Sequence, residues 1–451
     1  MLEMKSGTEN TKPKGVIMDY QEALAYIHSH RRFGAKPGLE RMRALLTLLG
    51  NPQEQLSCVH IAGTNGKGST VAMIASVLRA AGYKTGMYIS PYVLEYRERI
   101  QVNGEMIPRD ALVRLVERIQ PFAEQAGELT EFELNTALAF CWFAEQGCGI
   151  VVLETGLGGR FDATNVIQHP LLCVITSIGL DHTEILGDTL AQIAAEKCGI
   201  CKPGVRTVVS ARQAPEAFEI IRQHVVGRNG AVMVSVSDVE LEQTLATAQM
   251  RISGSEISLN GLKLHLPLAG EHQILNAWTA FTALHELSKK GFPKAAQASA
   301  LRSGLESVRF PVRIETVCTD PLTILDGAHN PQGAQTLARA LEMLGETPVT
   351  GVMGVLADKD SAGALDAIVT RFRRLICVTP DNPRALDAHD LAARADALGL
   401  QSSAAHTLEE GLALAQAVAK SERGAVVVCG SLYLAAQARK LLLEKEADGC
   451  G

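Results

Sequence analysis

Apolar and polar residues follow one another in two patterns along the chain. Short apolar runs have the character of buried strands, and longer stretches with apolar residues at helical spacing separate them. In the first half, the helical stretches include residues 110–125 and 131–145. The apolar runs there are residues 56–62, 85–90, 150–154, 171–177 and 206–210. Because alternating strands and helices form a mainly parallel sheet covered by helices, we predict an α/β domain.

The pattern changes between residues 250 and 268, where short alternating runs broken by glycines predict antiparallel strands at a sheet edge or in a small subsheet. Helical patterns resume at residues 272–289 and 294–303. A second alternating series then has apolar runs at residues 322–325, 349–355, 375–379 and 425–429. We therefore predict two domains, residues 1–307 and a smaller α/β domain of residues 308–451.

Composition and charge narrow the class of protein. Hydrophobic residues make up 47% of the chain and charged residues 20%, as in ordinary soluble proteins. No apolar run approaches the roughly 20 residues that cross a bilayer, and the polar start lacks a signal-peptide core, so we expect a cytoplasmic protein that does not bind membranes. A net charge of −6 without a long basic run argues against nucleic acid as a partner.

The ten cysteines are scattered through apolar segments, which is typical of reduced core cysteines. The exception is the pair Cys198 and Cys201, whose CxxC spacing occurs in metal and redox sites. No second CxxC or paired histidine supplies further ligands. We therefore interpret this pair as packing residues.

Residues 63–69 (Gly-Thr-Asn-Gly-Lys-Gly-Ser) carry the strongest chemical signal, because they connect a strand-like run to a helix-like run. Glycines let backbone N–H groups approach an anion at a helix N-terminus, and Lys67 adds a positive charge. The segment departs from the usual phosphate loop, with Ile61 at a glycine position and Gly68 after the lysine. We predict a shortened phosphate loop that binds a nucleotide.

Polar residues follow several predicted strands. Glu154 ends the run at 150–154, and a carboxylate at a strand end near a phosphate loop suits Mg²⁺, although a helix-capping or ion-paired glutamate is the alternative. Asp181 and His182 follow the next strand, and His182 is a candidate metal ligand. Lys197 ends a helical pattern, which by itself indicates a solvated lysine favoured by the helix dipole. In the second domain, Asp326 could accept a hydrogen bond from a ribose or orient a metal shell.

These features indicate catalysis in a cleft between two α/β domains. The motifs described above, taken in their order along the chain, resemble those of the folylpolyglutamate synthases and bifunctional dihydrofolate synthases, which belong with the Mur ligases. The matching segments are residues 38–41, 63–70, 90–91, 129–132, 154–165, 180–202, 276, 309–310, 325–331 and 429–431. The resemblance implies an N-terminal phosphate-loop ATPase domain joined to a C-terminal Rossmann-like glutamate ligase domain, with ATP and a folate-type substrate between them.

The resemblance also implies residue roles. The phosphate clamp for ATP would be Thr64, Asn65, Gly66 and Lys67. The Mg²⁺ ligands would be Ser90, Glu154 and His182. Further contacts to ATP would come from Asn276, Arg309 and Asp326, and contacts to the pterin side of the substrate from Lys36, Thr130 and Asp162. Lys197 corresponds to a lysine that is carbamylated in this family, so the catalytic set would be Lys67, Lys197 and His182.

The implied reaction is ATP-dependent. A carboxylate of the folate attacks the γ-phosphate, and the amino group of L-glutamate then displaces phosphate from the acyl phosphate to form an amide. We expect polyglutamylation of folates by a monomer, with conversion of dihydropteroate to dihydrofolate as a second activity. The alternatives are a Mur-type ligase acting on a peptidoglycan precursor and a nucleotide-binding protein without turnover.

Overall fold

A computed structural model of the chain describes residues 18–30, 38–228, 230–357 and 361–448. The strands are β1 (Cys58–Ala62), β2 (Thr85–Tyr88), β3 (Ile100–Val102), β4 (Glu105–Met106), β5 (Ile150–Glu154), β6 (Leu172–Ile175), β7 (Thr207–Val209), β8 (Met233–Ser235), β9 (Gln249–Arg251), β10 (Gly254–Leu259), β11 (Leu262–Leu266), β12 (Glu315–Thr319), β13 (Leu322–Leu325), β14 (Val349–Met353), β15 (Arg374–Cys377), β16 (Ser402–Ala404) and β17 (Ala425–Cys429).

The helices alternate with these strands over most of the chain. They are α1 (Tyr20–Ser29), α2 (Glu40–Leu48), α3 (Lys67–Ala80), α4 (Arg109–Ala126), α5 (Glu131–Glu145), α6 (Thr183–Leu186), α7 (Leu190–Lys197), α8 (Pro215–Arg222), α9 (Asp238–Thr247), α10 (Glu271–Ser288), α11 (Ala298–Glu306), α12 (Pro331–Leu341), α13 (Ser361–Ile368), α14 (Ala388–Ala397), α15 (Leu408–Glu422) and α16 (Leu432–Asp448). None of the helices in the described ranges has the length and apolar character needed to span a membrane.

The first sheet has the strand order β4-β3-β2-β5-β1-β6-β7-β8 and is parallel from β2 to β8. Its central strands β1, β5 and β6 are buried along their whole length, as expected for a sheet covered on both faces. Helices α3, α10 and α11 share an apolar core with one face. Helices α1, α2, α4 and α5 share another core that includes Tyr88 and Leu153. This arrangement confirms the predicted α/β class.

The alternating runs near residues 250–268 form a separate antiparallel sheet of the order β11-β10-β9. The helix predicted at 294–303 is instead a 3₁₀ turn, Pro293–Ala296, followed by α11. The hairpin of β3 and β4 and the edge strands β8, β12 and β16 have no counterpart among the predicted runs. These strands are short and lie at sheet edges, so their sequences do not carry a long buried pattern.

The second sheet has the order β12-β13-β17-β14-β15-β16 and is parallel except for the edge strand β12. It begins only after α11 has ended at Glu306, and the boundary between residues 307 and 308 stays a prediction. The carboxyl ends of β1, β5 and β6 in the first sheet and of β13 in the second lead to segments that line one cavity. Ligands bind at such strand ends in parallel sheets.

Candidate active site

The segment between β1 and α3 forms the centre of the cavity. Gly66 precedes the first residue of α3 with a φ of 85°, and a Cβ atom there would lie 2.3 Å from Asn276 Oδ1, so this turn requires glycine. Thr64 exchanges two hydrogen bonds with the backbone of Gly179, at 2.9 and 3.0 Å. Lys67 Nζ donates to Thr64 O at 3.2 Å. The predicted phosphate-clamp residues thus meet at the N-terminus of a 14-residue helix.

Glu154, the last residue of β5, is 4% exposed and faces this loop. Burial raises the pKa of its carboxyl group, and the charge of Lys67 opposes that shift. Glu154 Oε1 lies 4.0 Å from Lys67 Nζ, and the Ser90 backbone N–H donates to Oε2 at 3.2 Å. Within the described ranges, this is the only hydrogen bond found on the carboxylate, which therefore lacks most of the partners that a buried charge needs.

Lys197 ends α7 but is not the solvated lysine that its sequence position alone suggested. It is 5% exposed, and its Nζ donates to Gly63 O at 2.7 Å. Burial, with a further contribution from the charge of Lys67, lowers the pKa of Lys197 to about 7. Helix position favours an exposed cation here, whereas packing against the phosphate loop places the amine where its neutral form is stabilised.

Asp181 and His182 lie on the loop after β6 and also line the cavity. His182 has a φ of 50° and a side chain that is 40% exposed. Its Nε2 lies 3.9 Å from Asp181 Oδ1. Asp181 Oδ2 accepts a hydrogen bond from Asn330 Nδ2 at 3.1 Å, so this loop contacts the second domain.

The predicted metal ligands Ser90, Glu154 and His182 all line the cavity. No group of three or more His, Cys, Asp or Glu side chains suited to a metal occurs in the described parts of the chain. Mg²⁺ does not require such a group, because it usually takes one or two carboxylates and completes its shell with water and substrate phosphate. The under-partnered carboxylate of Glu154 beside a phosphate loop therefore fits Mg²⁺.

The second domain contributes a buried carboxylate and a buried guanidinium. Asp326 follows β13 and accepts hydrogen bonds from the backbone N–H groups of Ile314, at 2.9 Å, and Ala328, at 2.8 Å. Burial raises the pKa of Asp326, and the charge of Arg313 opposes this shift. Burial also lowers the pKa of Arg313, which is attracted to both Asp326 and Glu154. Arg313 thus provides positive charge between the two sheets.

Arg309, the arginine predicted to contact ATP, lies outside this cavity. Its Nη1 donates to the neighbouring carbonyl of Val308 at 2.9 Å, and the residue lines a separate small groove beside α3. The backbone turns sharply after it, with positive φ angles at Val312 and Ile314. That turn directs Arg313 into the cavity, whereas the contact between Arg309 and ATP stays a prediction. The sequence offered two arginines four residues apart and no local signal to choose between them.

Of the three residues predicted on the pterin side, the two that the structure describes, Thr130 and Asp162, do not line this cavity or its neighbour. Lys36 lies outside the described residues. Thr130 caps α5 and exchanges hydrogen bonds with Glu133. Asp162 is buried and accepts hydrogen bonds from the backbone of Gly156, Leu157 and Thr164. The contacts of Thr130 and Asp162 are local, so their substrate-binding roles stay predictions.

The structure also places residues in the cavity that the sequence analysis did not select. His272 and Gln273 begin α10 and line the cavity beside Asn276, whose Nδ2 donates to Gln273 Oε1 at 3.1 Å. Among the residues that the structure describes, His272 Nδ1 and Gln273 Nε2 are buried and have no hydrogen-bond partner, so both are available to a ligand. The spacing from His272 to Asn276 puts them on one helix face, which was the signal in the sequence.

A second, larger cavity of about 1280 Å³ adjoins the phosphate cavity of about 250 Å³. The residues that line both are Pro91, Asp181, His182, His329, Asn330, Gln332 and Leu432. Its other walls come from the loop before α7 and from Arg384 and Ser431 in the second domain. A nucleotide phosphate and a larger second substrate can therefore meet beside His182.

A phosphate loop that faces a second α/β domain, with a buried lysine and carboxylate between them, defines the class of nucleotide-dependent ligases. The family "Mur ligase middle domain" matches residues 61–284, and "Mur ligase, glutamate ligase domain" matches residues 312–432. The dihydrofolate synthase/folylpolyglutamate synthase of Bacillus subtilis is 38% identical over 434 residues, which cover 94% of this chain and 99% of that protein.

Two further comparisons agree. The folylpolyglutamate synthase of Lacticaseibacillus casei is 35% identical over 94% of this chain and 99% of its own length. The structure of Mycobacterium tuberculosis folylpolyglutamate synthase complexed with ADP superposes with a TM-score of 0.85 at 32% identity, over 94% of this chain and 98% of that one. The chain belongs to the folylpolyglutamate synthase and dihydrofolate synthase family of the Mur ligases.

Proposed function

We propose that the protein is an ATP-dependent ligase that joins L-glutamate to folates through an acyl phosphate. The observation that carries this proposal is the presence of two buried groups, the carboxylate of Glu154 and the amine of Lys197, in one cavity between a phosphate loop and a second domain. Such a site suits the activation of a carboxylate by phosphoryl transfer, because fixed positive groups stabilise charge on the transferred group. The names of the relatives give the acceptor class.

In this proposal the phosphate loop and Lys67 hold the β- and γ-phosphates of ATP. Arg313 adds positive charge from the second domain, and His272, Gln273 and Asn276 hold the nucleoside end. Closure of the two sheets over the cavity keeps water from the acyl phosphate, which would otherwise hydrolyse. The larger cavity receives the folate carboxylate and L-glutamate.

Ser90, Glu154 and His182 would hold Mg²⁺. When bound, this ion offsets the negative charge of the phosphates. Lys197 would carry a carbamate, formed by attack of the neutral amine on CO₂ with loss of one proton. Its pKa of about 7 supports this role, because an ordinary lysine with a pKa near 10.4 is almost entirely protonated at neutral pH.

We also propose dihydropteroate as a second acceptor. The relatives differ in their names on this point, since that of B. subtilis is called a dihydrofolate synthase/folylpolyglutamate synthase and that of L. casei a folylpolyglutamate synthase. Lys36, Thr130 and Asp162 are the residues proposed for the pterin side. The acceptor range is therefore the property of this chain that most needs a direct assay.

We further propose that the protein acts as a monomer in the cytoplasm. One chain supplies both walls of the cavity, which supports a site that is complete without a partner. Nine cysteines of the described residues are free and eight of them are buried, which supports a reducing compartment. Cys198 and Cys201 are among the buried ones, and the proposed reaction has no step for them.

The proposal is tested by ADP release in mixtures that contain ATP, Mg²⁺, L-glutamate and one acceptor. The acceptors are tetrahydrofolate, dihydropteroate and a nucleotide-linked peptidoglycan peptide. We expect ADP release that requires both L-glutamate and a folate-type acceptor. Release with the peptidoglycan precursor alone would favour the Mur-type alternative, and no release with any acceptor would overturn the ligase proposal.

A further inference from the structure

The first turn of α12, in the second domain, contacts the phosphate loop directly. Gln332 Oε1 accepts a hydrogen bond from Asn65 Nδ2 at 2.6 Å. One residue before α12, Asn330 is 4% exposed and donates through Nδ2 to Asp181 Oδ2 at 3.1 Å. Two side chains at the start of one helix therefore bind the two loops that border the phosphate cavity on the opposite sheet.

Those two loops are themselves joined. Thr64 N donates to Ser177 O at 2.8 Å, and the Thr64 hydroxyl exchanges hydrogen bonds with the backbone of Gly179. A Cβ atom at Gly179 would lie 2.1 Å from Gln332 Oε1. Gly179 thus leaves space for the Gln332 side chain to reach Asn65, and any larger residue there would displace it.

We propose that Gln332 is a positioning residue that holds Asn65, and through it the phosphate loop, in its catalytic arrangement when the two domains are closed. Asn65 has an amide group that can donate in only a few directions, so fixing its Nδ2 on Gln332 fixes the orientation of the whole side chain. This coupling links α12 to the phosphate loop through Asn65. This inference rests on the proposed function only where its test measures enzyme activity.

The main variant is Gln332→Met, which keeps the length of the side chain and removes the acceptor. The matched control is Gln243→Met, an exposed glutamine on α9 that lies outside both cavities. Loss of one positioning hydrogen bond corresponds to a roughly 3- to 10-fold change. We expect kcat to fall by that factor with less change in the KM for L-glutamate, and no change for Gln243→Met.

Two double variants, each compared with its single variants, distinguish a positioning role from a general effect on folding. Asn65→Ala should abolish the effect of Gln332→Met, so the double variant should be no slower than Asn65→Ala alone. Gly179→Ala should also slow the enzyme, but it should add nothing in a Gln332→Ala background, where the clashing side chain is absent. Additive losses in both pairs would overturn the proposal.

Hydrogen exchange tests the same coupling without turnover. In the full chain, amides of residues 61–70 should exchange faster in Gln332→Met and Gly179→Ala than in the wild type and in Gln243→Met. Unchanged exchange in that segment would contradict the coupling whatever the activity. If the wild type releases no ADP with any acceptor but exchange behaves as expected, the proposed function fails and the positioning contact stands.

Discussion

Two buried carboxylates lie at the carboxyl ends of strands in the two sheets and line the same cavity, yet their surroundings differ: Glu154 ends β5 and Asp326 follows β13. Asp326 accepts two backbone hydrogen bonds at 2.9 and 2.8 Å, whereas Glu154 accepts one at 3.2 Å and has Lys67 Nζ at 4.0 Å. Burial raises the pKa of both. The difference predicts that the carboxylate of Asp326 contributes more to stability, whereas that of Glu154 has more capacity to bind a ligand.

The largest expected effect comes from Glu154→Gln, which keeps the shape and removes the charge. We expect kcat to fall about 1,000-fold, because a fixed charge at a transferring phosphate is worth roughly that much. Steady-state ADP release measures the loss, and Glu242→Gln at the exposed end of an ion pair serves as the control. Activity within tenfold of the wild type would contradict the metal-ligand role of Glu154.

The arginines of the linker provide the next test of which side chains face the cavity. Arg313→Met should lower kcat about 100-fold, since it removes a buried positive charge from the site. Arg309→Met should change it by less than about twofold, because exposed side chains of this kind contribute little. The two variants are compared in the same ADP-release assay. Equal losses would mean that the backbone turn does not separate the two arginines as described.

For the free energy of unfolding, we expect the larger loss at Asp326 and the smaller one at Glu154. Asp326→Asn replaces an oxygen that accepts a backbone hydrogen bond and leaves Arg313 less well paired, so we expect a loss of about 1–3 kcal/mol in the free energy of unfolding. Glu154→Gln removes a poorly partnered buried charge and should leave that free energy unchanged or raise it. Urea unfolding of both variants measures the contrast. Equal destabilisation would remove the distinction between the two carboxylates.

The smallest expected effect is the pH dependence that Lys197 imposes. With a pKa of about 7, roughly half of its amine is neutral at pH 7 and about a tenth at pH 6. Carbamate formation uses the neutral amine, so the bicarbonate-dependent part of the activity should fall about fivefold as the pH drops from 7 to 6. Enzyme freed of CO₂ and assayed with and without bicarbonate checks this. Activity that is independent of bicarbonate across this range would contradict a carbamate on Lys197.

The contrast between the carboxylates also marks what the sequence could predict. Glu154 is predictable because a charged residue that ends the apolar run 150–154 must lie at a strand end. The burial of Lys197 could not be predicted locally, because its helix position favours exposure, whereas its amine donates to Gly63 O, 134 residues away in the sequence. The central strands of both large sheets were predicted from their apolar runs, whereas the short edge strands were not.

Arg313 and Gln332 are two residues of the site that could not be predicted from the sequence. The choice between Arg309 and Arg313 depends on positive φ angles at Val312 and Ile314, which are not glycines and therefore give no signal in the sequence. The role proposed for Gln332 depends on its contact with Asn65, 267 residues away in the sequence. Site residues at strand ends and in glycine-rich turns can be predicted from the sequence. Site residues whose role depends on a contact between the two domains cannot.

The most direct test of the ligase account is the transfer of oxygen between the substrates. A folate labelled with ¹⁸O in its side-chain carboxyl groups is incubated with enzyme, ATP, Mg²⁺ and L-glutamate, and the released phosphate is analysed by mass spectrometry. Formation of an acyl phosphate followed by attack of the amine predicts one ¹⁸O atom in each phosphate released with amide formation. Phosphate that carries no label would contradict the account, because the γ-phosphate would then have gone to water.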